Sequence, residues 1–261
     1  MNARMTHDGA TRRVAGLAYS VHGQGPAALL LHPAFAHRGA FDGEVEALSD
    51  RLRLIRVDLP GHGETGRGDG VPTMDAVAGA LVAILDAEGV DRAHVLGVSM
   101  GSLIGQDLAR RHPERVRSLT SLGGYPVDDV EAGKAQNSAL LTMLPKLLFA
   151  HGSFRRGVAK DAAWTEAGRA RFEEMARGFR FLDMLAMRGM DQVLDSTRED
   201  AVTCPLLIAV GEHDLDIVRD ASRRWHAATD STFVELAGAG HCANLDDPQP
   251  FQAAWLGFVG V

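Results

Sequence analysis

Cysteine is scarce in this sequence, and long apolar runs are absent. Only Cys204 and Cys242 occur in 261 residues, too few for a disulfide framework in a chain long enough to bury a full core. We therefore expect both to be reduced thiols. No apolar run approaches the ~20 residues needed to span a bilayer, and the first ten residues lack the apolar core of an export signal. These absences predict a soluble, cytoplasmic protein that does not enter a membrane.

Basic residues are also too few and too scattered to form a binding surface for polyanions. The chain has 27 Lys and Arg against 34 Asp and Glu, a formal net charge of −7, and no basic cluster larger than pairs such as Arg110-Arg111. This balance gives no indication of nucleic acid or membrane binding and favours a small-molecule partner. Because HExxH and CxxC spacings are absent, we expect neither a metal site nor a cofactor. No feature of the sequence predicts an oligomeric state.

Apolar runs alternate with amphipathic segments along most of the chain. The apolar runs predict strands at residues 13–21, 27–32, 52–58, 92–96, 116–122, 205–210 and 232–236. Helices are predicted between them, at residues 41–51, 74–88 (with Thr73 as the N-cap), 100–111, 218–228 and 248–258. Such an alternation is typical of a parallel sheet that is covered by helices on both faces.

The segment 125–203 interrupts this alternation, because it contains helical stretches and no convincing strand. We interpret it as a helical cap inserted into a core domain made of residues 1–124 and 204–261. Large apolar side chains should mainly pack this cap, with some facing a cleft that accepts a partly hydrophobic molecule: Leu140, Met143, Leu144, Leu148, Phe149, Phe154, Trp164, Met175, Phe179, Phe181, Met184, Met187 and Met190. Five arginines fit a solvated helix face, or alternatively a site for a substrate carboxylate: Arg155, Arg156, Arg177, Arg180 and Arg188.

The pentapeptide Gly97-Val98-Ser99-Met100-Gly101 lies where a predicted strand meets a predicted helix. A GxSxG segment turns a strand sharply into a helix, and its glycines remove side chains that would clash across the turn. The turn holds the serine in a strained conformation with its hydroxyl exposed. The amide of Met100 then points to where an oxyanion would develop. Ser99 is therefore a candidate nucleophile.

A serine nucleophile requires a histidine base and an acid that orients it. His241 follows the glycines of Gly238-Ala-Gly-His241, in the loop between the last predicted strand and the last predicted helix. Asp214 lies just past the carboxyl end of an earlier strand, where open α/β sheets place their ligands. Asp216, Asp58 and Glu212 are the rival acids, and the other histidines fit structural positions.

A second glycine-rich segment, residues 61–66, satisfies the spacing GxGxxG of dinucleotide-binding loops. That fingerprint requires a helix to begin inside the motif, whereas here Arg67-Gly-Asp-Gly-Val-Pro72 continues as loop. We interpret the segment as a turn near the mouth of the site.

Together these motifs resemble the α/β-hydrolase fold superfamily, in its capped esterase/lactonase-like branch. The matching segments are Leu29-Leu-Leu-His-Pro33, Asp58-Leu-Pro-Gly-His-Gly-Glu-Thr65, the pentapeptide at Ser99, Gly211-Glu-His-Asp214 and Gly238-Ala-Gly-His241. The order Ser99, Asp214, His241 is the order of that family. The resemblance implies a mostly parallel, doubly wound sheet of about eight strands with an inserted helical cap, and those three residues as the catalytic triad.

One segment departs from the family pattern. The family usually has His-Gly at the oxyanion loop, where this chain has His32-Pro33. Proline removes only its own amide proton, so the amide of Ala34 remains the expected second oxyanion donor beside Met100. Phe35 is the alternative donor if the loop is shifted by one residue.

The resemblance implies a serine hydrolase that cleaves an ester, lactone or thioester through an acyl-enzyme. A serine in place of an aspartate argues against the epoxide hydrolase and haloalkane dehalogenase branches. Carbon–carbon bond hydrolases and cofactor-free perhydrolases use the same triad and remain alternatives. A small-ligand receptor that retains the triad is a further alternative from another functional class.

Overall fold

The computed structural model describes residues 9–68, 72–187 and 201–261. Its centre is one eight-stranded sheet with the spatial order β1-β2-β4-β3-β5-β6-β7-β8. The strands are β1 (Arg12–Val14), β2 (Leu17–His22), β3 (Ala27–Leu31), β4 (Arg53–Asp58), β5 (Ala93–Val98), β6 (Val116–Leu122), β7 (Leu206–Gly211) and β8 (Ser231–Leu236). Only the β1/β2 and β2/β4 pairs are antiparallel. The predicted mostly parallel sheet of about eight strands is confirmed.

Helices connect the parallel strands and cover both faces of the sheet. They are α1 (Asp42–Leu48), α2 (Met74–Ala87), α3 (Met100–Arg111), α4 (Val130–Phe149), α5 (His151–Ala162), α6 (Glu166–Met175), α7 (Met184–Met187), α8 (Asp216–Ala228), α9 (Ala243–Asp246) and α10 (Pro248–Val259). The hydroxyl of Thr73 accepts a hydrogen bond from the Ala76 amide at 3.2 Å, which confirms the predicted N-cap of α2. The helix after Ser99 ends at Arg111, before His112-Pro113, as the sequence predicts.

Alternate residues of the central strands supply two separate cores. In β3, Leu29 and Leu31 belong to the core beneath α2, α3 and α8, whereas Ala28 and Leu30 belong to the core on the opposite face. All four are fully buried, and each buried leucine contributes roughly 1.5–3 kcal/mol to folding. The two cores fix the central strands, and with them the loops that follow their carboxyl ends.

The predicted single strand at residues 13–21 is wrong. The structure splits it into β1 and β2, which pair as a hairpin around Ala15 and Gly16. Both residues have positive φ angles, +48° and +83°, as a tight two-residue hairpin turn requires. Gly16 was the only signal of this turn, because alanine is not a usual turn residue and apolar residues continue on both sides of it.

The helices α4 to α7, which we call the inserted helices, lie between β6 and β7. Among the apolar residues of these helices and their connections, Phe154 and Phe179 are buried in the core that also contains α1 and α10. Phe149 is 87% exposed, and Leu148 and Trp164 are also exposed. Residues 188–200 of the predicted cap, which include Arg188 and Met190, lie outside the described residues.

Cys204 and Cys242 are free thiols, and burial raises the pKa of each.

In the part of the chain that the structure describes, no helix has both the length and the apolarity to cross a bilayer. The same residues contain no group of three or more His, Cys, Asp or Glu side chains arranged to hold a metal ion.

Candidate functional site

The turn between β5 and α3 has the strained geometry that its pentapeptide predicts. Ser99 has φ +52° and ψ −115°, a conformation that L-residues rarely adopt. A Cβ on Gly97 would overlap the carbonyl oxygen of Gly101, and a Cβ on Gly101 would overlap that of Leu31. Glycine is therefore required at both positions, because the start of α3 packs directly against the ends of β3 and β5.

Three loops that follow the carboxyl ends of β5, β7 and β8 bring Ser99, Asp214 and His241 together. The Nε2 atom of His241 lies 2.8 Å from the Ser99 hydroxyl, and its Nδ1 atom lies 2.7 Å from Oδ1 of Asp214. A neutral imidazole with its proton on Nδ1 satisfies both contacts, since Nδ1 then donates to the carboxylate and Nε2 accepts from the hydroxyl. The order hydroxyl, imidazole, carboxylate is the arrangement that activates a serine.

The electrostatic surroundings of His241 favour its protonated form. Burial alone lowers the pKa of this imidazole, but the charge and hydrogen bond of Asp214 and the charge of Asp161 raise it, and the net pKa lies above the ordinary 6.5. Asp161 is an exposed carboxylate on α5. No pattern in the sequence indicates this effect, because Asp161 and His241 are 80 residues apart along the chain.

The rival acids have other partners. Asp58 accepts hydrogen bonds from the amide and guanidinium of Arg38, both at 2.7 Å, and from the Glu64 amide at 2.9 Å. The side chain of Asp216 is 93% exposed and lies 3.4 Å from Arg219. Glu212 accepts from the Gly238 amide. Only Asp214 among these carboxylates contacts His241.

The hydrogen bonds of the loop after β3 differ between Ala34 and Phe35, the two candidates for the second oxyanion donor. The amide of Phe35, which has φ +67°, donates to Nε2 of His62 at 3.0 Å. Among the residues that the structure describes, the amides of Ala34 and Met100 have no acceptor. Ala34 and Met100 therefore keep donors that a ligand can use, whereas the donor of Phe35 is engaged within the protein.

Two neutral histidines hold this loop. His32 accepts from the Leu59 amide at Nε2 and donates from Nδ1 to the Pro33 carbonyl, while His62 donates from Nδ1 to the Pro60 carbonyl. Burial lowers the pKa of each imidazole to about 3. Both therefore stay neutral near pH 7. Sequence reasoning placed His32 at the edge of the oxyanion loop but missed His62, whose contact with Phe35 spans 27 residues.

The glycine-rich segment 61–66 forms a closed turn. The Gly61 amide donates to the Gly66 carbonyl at 2.6 Å, and the Gly66 amide donates to the His62 carbonyl at 3.1 Å. No helix begins within it, so the structure agrees with its interpretation as a turn rather than a dinucleotide-binding loop.

The segment between β6 and β7 packs against the loop after β3 through aromatic rings. The ring of Phe35 makes edge-to-face contacts with Phe154 on α5 and with Phe179, at centroid distances of 5.3 and 5.1 Å. Phe179 also lies 5.1 Å from the ring of His62. Contacts of this kind contribute about 0.5–1.5 kcal/mol each beyond burial. The loop after β3 is thus held partly by Phe154 of α5 and by Phe179, which lies between α6 and α7.

Known proteins share this architecture along nearly the whole chain. The model of the family described as alpha/beta hydrolase fold matches residues 27–248. The "Putative carbamate hydrolase RutD" of Caulobacter sp. (strain K31) is 28% identical, over 94% of this chain and 96% of its own. The pimeloyl-(acyl-carrier protein) methyl ester esterase of Chromobacterium violaceum is 30% identical, over 89% and 93%. A thermophilic esterase from Thermogutta terrifontis superposes with a TM-score of 0.80 at 24% identity, over 94% and 93%.

Proposed function

The chain belongs to the alpha/beta hydrolase fold family and is a hydrolase, and we propose that it is a serine hydrolase that cleaves an ester, lactone or thioester through an acyl-enzyme. Ser99 is the nucleophile, His241 the general base and acid, and Asp214 the residue that orients the imidazole. The observation that carries this proposal is the continuous hydrogen-bonded series from the Ser99 hydroxyl through His241 to Asp214.

In the first half of the reaction, the Ser99 oxygen attacks the carbonyl carbon of the substrate while its proton moves to Nε2 of His241. The amides of Ala34 and Met100 stabilise the resulting oxyanion, each contributing about 3 kcal/mol to lowering the barrier. The bond to the leaving group then breaks, and the leaving oxygen or sulfur takes the proton from Nε2. The products of this half are an ester of Ser99 and the alcohol or thiol, which for a lactone stays attached to the acyl group as a hydroxyl.

In the second half, a water molecule attacks the carbonyl carbon of the acyl-enzyme. His241 takes one proton from the water and passes it to the Ser99 oxygen as the acyl bond breaks. The carboxylic acid leaves, and the hydroxyl and the neutral imidazole are restored. Asp214 stays ionised throughout and stabilises the imidazolium that forms in each half.

We further propose that residues 125–203 form a cap over this site, with residues 1–124 and 204–261 as the core domain. Edge-to-face contacts of Phe154 and Phe179 with Phe35 support this division, since they hold the inserted segment against the loop that carries Ala34, a proposed oxyanion donor. Apolar rings there favour a substrate with a hydrophobic portion. The relatives named for a carbamate and for a methyl ester support a small carbonyl substrate of the ester type.

A fluorophosphonate probe tests the mechanism directly, because it reacts only with an activated serine. We expect intact-mass analysis to show one label per chain, on Ser99, and no label on the Ser99→Ala variant. Ser102→Ala is the matched control: Ser102 is three residues away and buried against Ser121, so this variant should label at the normal rate. Absence of label on the unaltered protein, together with no hydrolysis of p-nitrophenyl acetate, would favour the receptor alternative.

The rate of hydrolysis should fall with acid through a pKa above 6.5. The proposed base acts in its neutral form, and its surroundings raise its pKa. We therefore expect kcat/KM to reach its full value at alkaline pH and to fall as the pH drops through that raised pKa.

Replacing Asp161 by Asn removes a negative charge that stabilises the imidazolium of His241. We therefore expect the acid limb of the pH profile of Asp161→Asn to move to lower pH.

Asp220→Asn is the control for this shift, since Asp220 is a carboxylate of α8 that lies 3.8 Å from Arg223 and does not act on His241. Its profile should match that of the unaltered enzyme. Identical profiles for all three proteins would show that Asp161 does not influence the base.

A further inference from the structure

One carboxylate joins the loop of the proposed base to the inserted helices. Asp246 ends α9, and we call residues 163–165, which link α5 to α6, the corner. Oδ2 of Asp246 accepts hydrogen bonds from the amides of Gly240 at 2.8 Å and Trp164 at 2.9 Å. Oδ1 accepts from the amide and the hydroxyl of Thr165, both at 2.7 Å. Three of these four donors belong to the corner, and the fourth belongs to the residue that precedes the imidazole.

The backbone of His241 is held by the inserted segment on its other side as well. The Cys242 amide donates to the carbonyl oxygen of Ala162, the last residue of α5, at 2.7 Å. A Cβ on Gly240 would lie only 2.8 Å from the Trp164 nitrogen, so the corner approaches this loop as closely as glycine permits. Both neighbours of His241 are thus held by residues 162–165: Cys242 by a direct hydrogen bond to Ala162, and Gly240 through Asp246, which also bonds Trp164.

The corner also reaches the loop of the proposed acid. The indole of Trp164 stacks on the imidazole of His213, with centroids 3.8 Å apart and planes inclined by 21°. His213 directly precedes Asp214, and its amide donates to the Ala239 carbonyl in the other loop at 2.8 Å. The corner therefore contacts both the loop that carries Asp214 and the loop that carries His241, and these two side chains must hydrogen-bond to each other.

Small displacements of these loops have large consequences for the proposed chemistry. The imidazole must keep two hydrogen bonds, to Asp214 and Ser99, at 2.7 and 2.8 Å. A misplacement of about 1 Å in such a site lowers the rate by about 100-fold. Hydrogen bonds to an ionised carboxylate are roughly twice as strong as neutral ones, so the four bonds of Asp246 make it the strongest link between the corner and the histidine loop.

We propose that Asp246 is a positioning residue that couples the docking of the corner to the alignment of His241 between Ser99 and Asp214. The proposal rests on the proposed serine mechanism. The inserted helices would then have a second function besides covering the substrate. Their packing against the core would also position the imidazole of His241 relative to Ser99 and Asp214.

The test compares Asp246→Asn with Asp247→Asn, a matched control. Asp247 is an exposed neighbouring carboxylate whose side chain makes no capping hydrogen bond at the start of α10. An asparagine at 246 presents an NH2 group to donors that need an acceptor, and it removes the charge. With p-nitrophenyl acetate we expect kcat to fall about 100-fold, with KM within about twofold. The control should keep the normal kcat.

A spectroscopic measurement separates misalignment from general destabilisation. The downfield proton resonance of the His241 Nδ1–H group reports its hydrogen bond to Asp214, and His241→Ala identifies it by its loss. We expect Asp246→Asn to shift or broaden this resonance and Asp247→Asn to leave it in place. This measurement needs no turnover, so it tests the alignment even if the unaltered protein proves inactive and the serine mechanism fails.

Gly240→Ala provides a second approach to the same coupling, because its methyl group pushes the corner away from the loop while Asp246 keeps its charge. We expect a loss of kcat and a change in the same resonance. The proposal is overturned if Asp246→Asn keeps both the normal kcat and the normal resonance, or if Asp247→Asn has the same effect. If Asp246→Asn does not fold, a normal kcat and a normal resonance in Gly240→Ala overturn it.

Discussion

Replacing Ser99 by alanine is expected to lower kcat for p-nitrophenyl acetate by about 10⁵- to 10⁶-fold. The variant loses the only atom that forms the acyl bond in the proposed mechanism, and no other serine hydroxyl of the described residues contacts the imidazole. Alanine occupies the same backbone position and leaves Gly97 and Gly101 in place. The fold should therefore persist, with a thermal unfolding midpoint close to that of the unaltered protein.

Steady-state kinetics with purified variants measures this effect, and thermal unfolding checks the fold. Ser102→Ala serves again as the control and should retain nearly full activity. If Ser99→Ala keeps more than about 1% of the activity while folded, the nucleophile has been assigned wrongly. A carbon–carbon bond hydrolase on the same triad would fail to turn over the ester yet still require Ser99 for its own substrate.

Replacing Asp214 by asparagine is expected to lower kcat about 10⁴-fold near neutral pH. Oδ1 of Asp214 now accepts from Nδ1 of His241 at 2.7 Å and from the Leu215 amide at 2.7 Å. An asparagine that turns its NH2 group toward Nδ1 would force the imidazole proton onto Nε2. The Ser99 hydroxyl would then face a donor instead of an acceptor, and the imidazolium would lose its counter-charge.

Asp216→Asn is the matched control for this prediction, because Asp216 was a rival acid and its side chain is 93% exposed. It should keep normal kinetics. The assignment of the acid would be reversed if Asp216→Asn lost activity while Asp214→Asn retained it. Equal, small losses in both variants would mean that neither carboxylate orients the base.

Much of the fold could be predicted because its signals are local. A parallel sheet covered on both faces requires continuous apolar strands, and those runs are visible along the chain. The predicted helix after Ser99 ends where His112-Pro113 stops it. The hairpin of β1 and β2 escaped prediction because only Gly16 marks its turn, while the first turn position is Ala15, a residue that rarely adopts a positive φ.

The candidate site could be predicted in part for the same reason. Ser99, Asp214 and His241 each follow a strand, and glycines mark the close backbone approaches at the turn before α3 and in the histidine loop. The roles of the three residues stay predictions, although the structure places their side chains in contact. Phe35 was a weaker candidate for the oxyanion hole, and its amide is occupied by His62. That occupancy depends on a loop from another strand, so no local pattern reports it.

The sequence by itself determined the fold class and the strained turn at Ser99, because apolar patterning and the steric freedom of glycine act within a few residues. The order of the candidate triad came from the resemblance of the sequence to a known family. Only the tertiary structure decided which amides of the described residues have no acceptor, that the charge of Asp161 raises the pKa of His241, and that Asp246 joins the histidine loop to Trp164 and Thr165 from more than 80 residues away. Such contacts arise when the packed sheet brings distant loops to one edge. The strength of these contacts depends on the distance between the atoms and on their burial, and both are set by the three-dimensional packing rather than by local sequence.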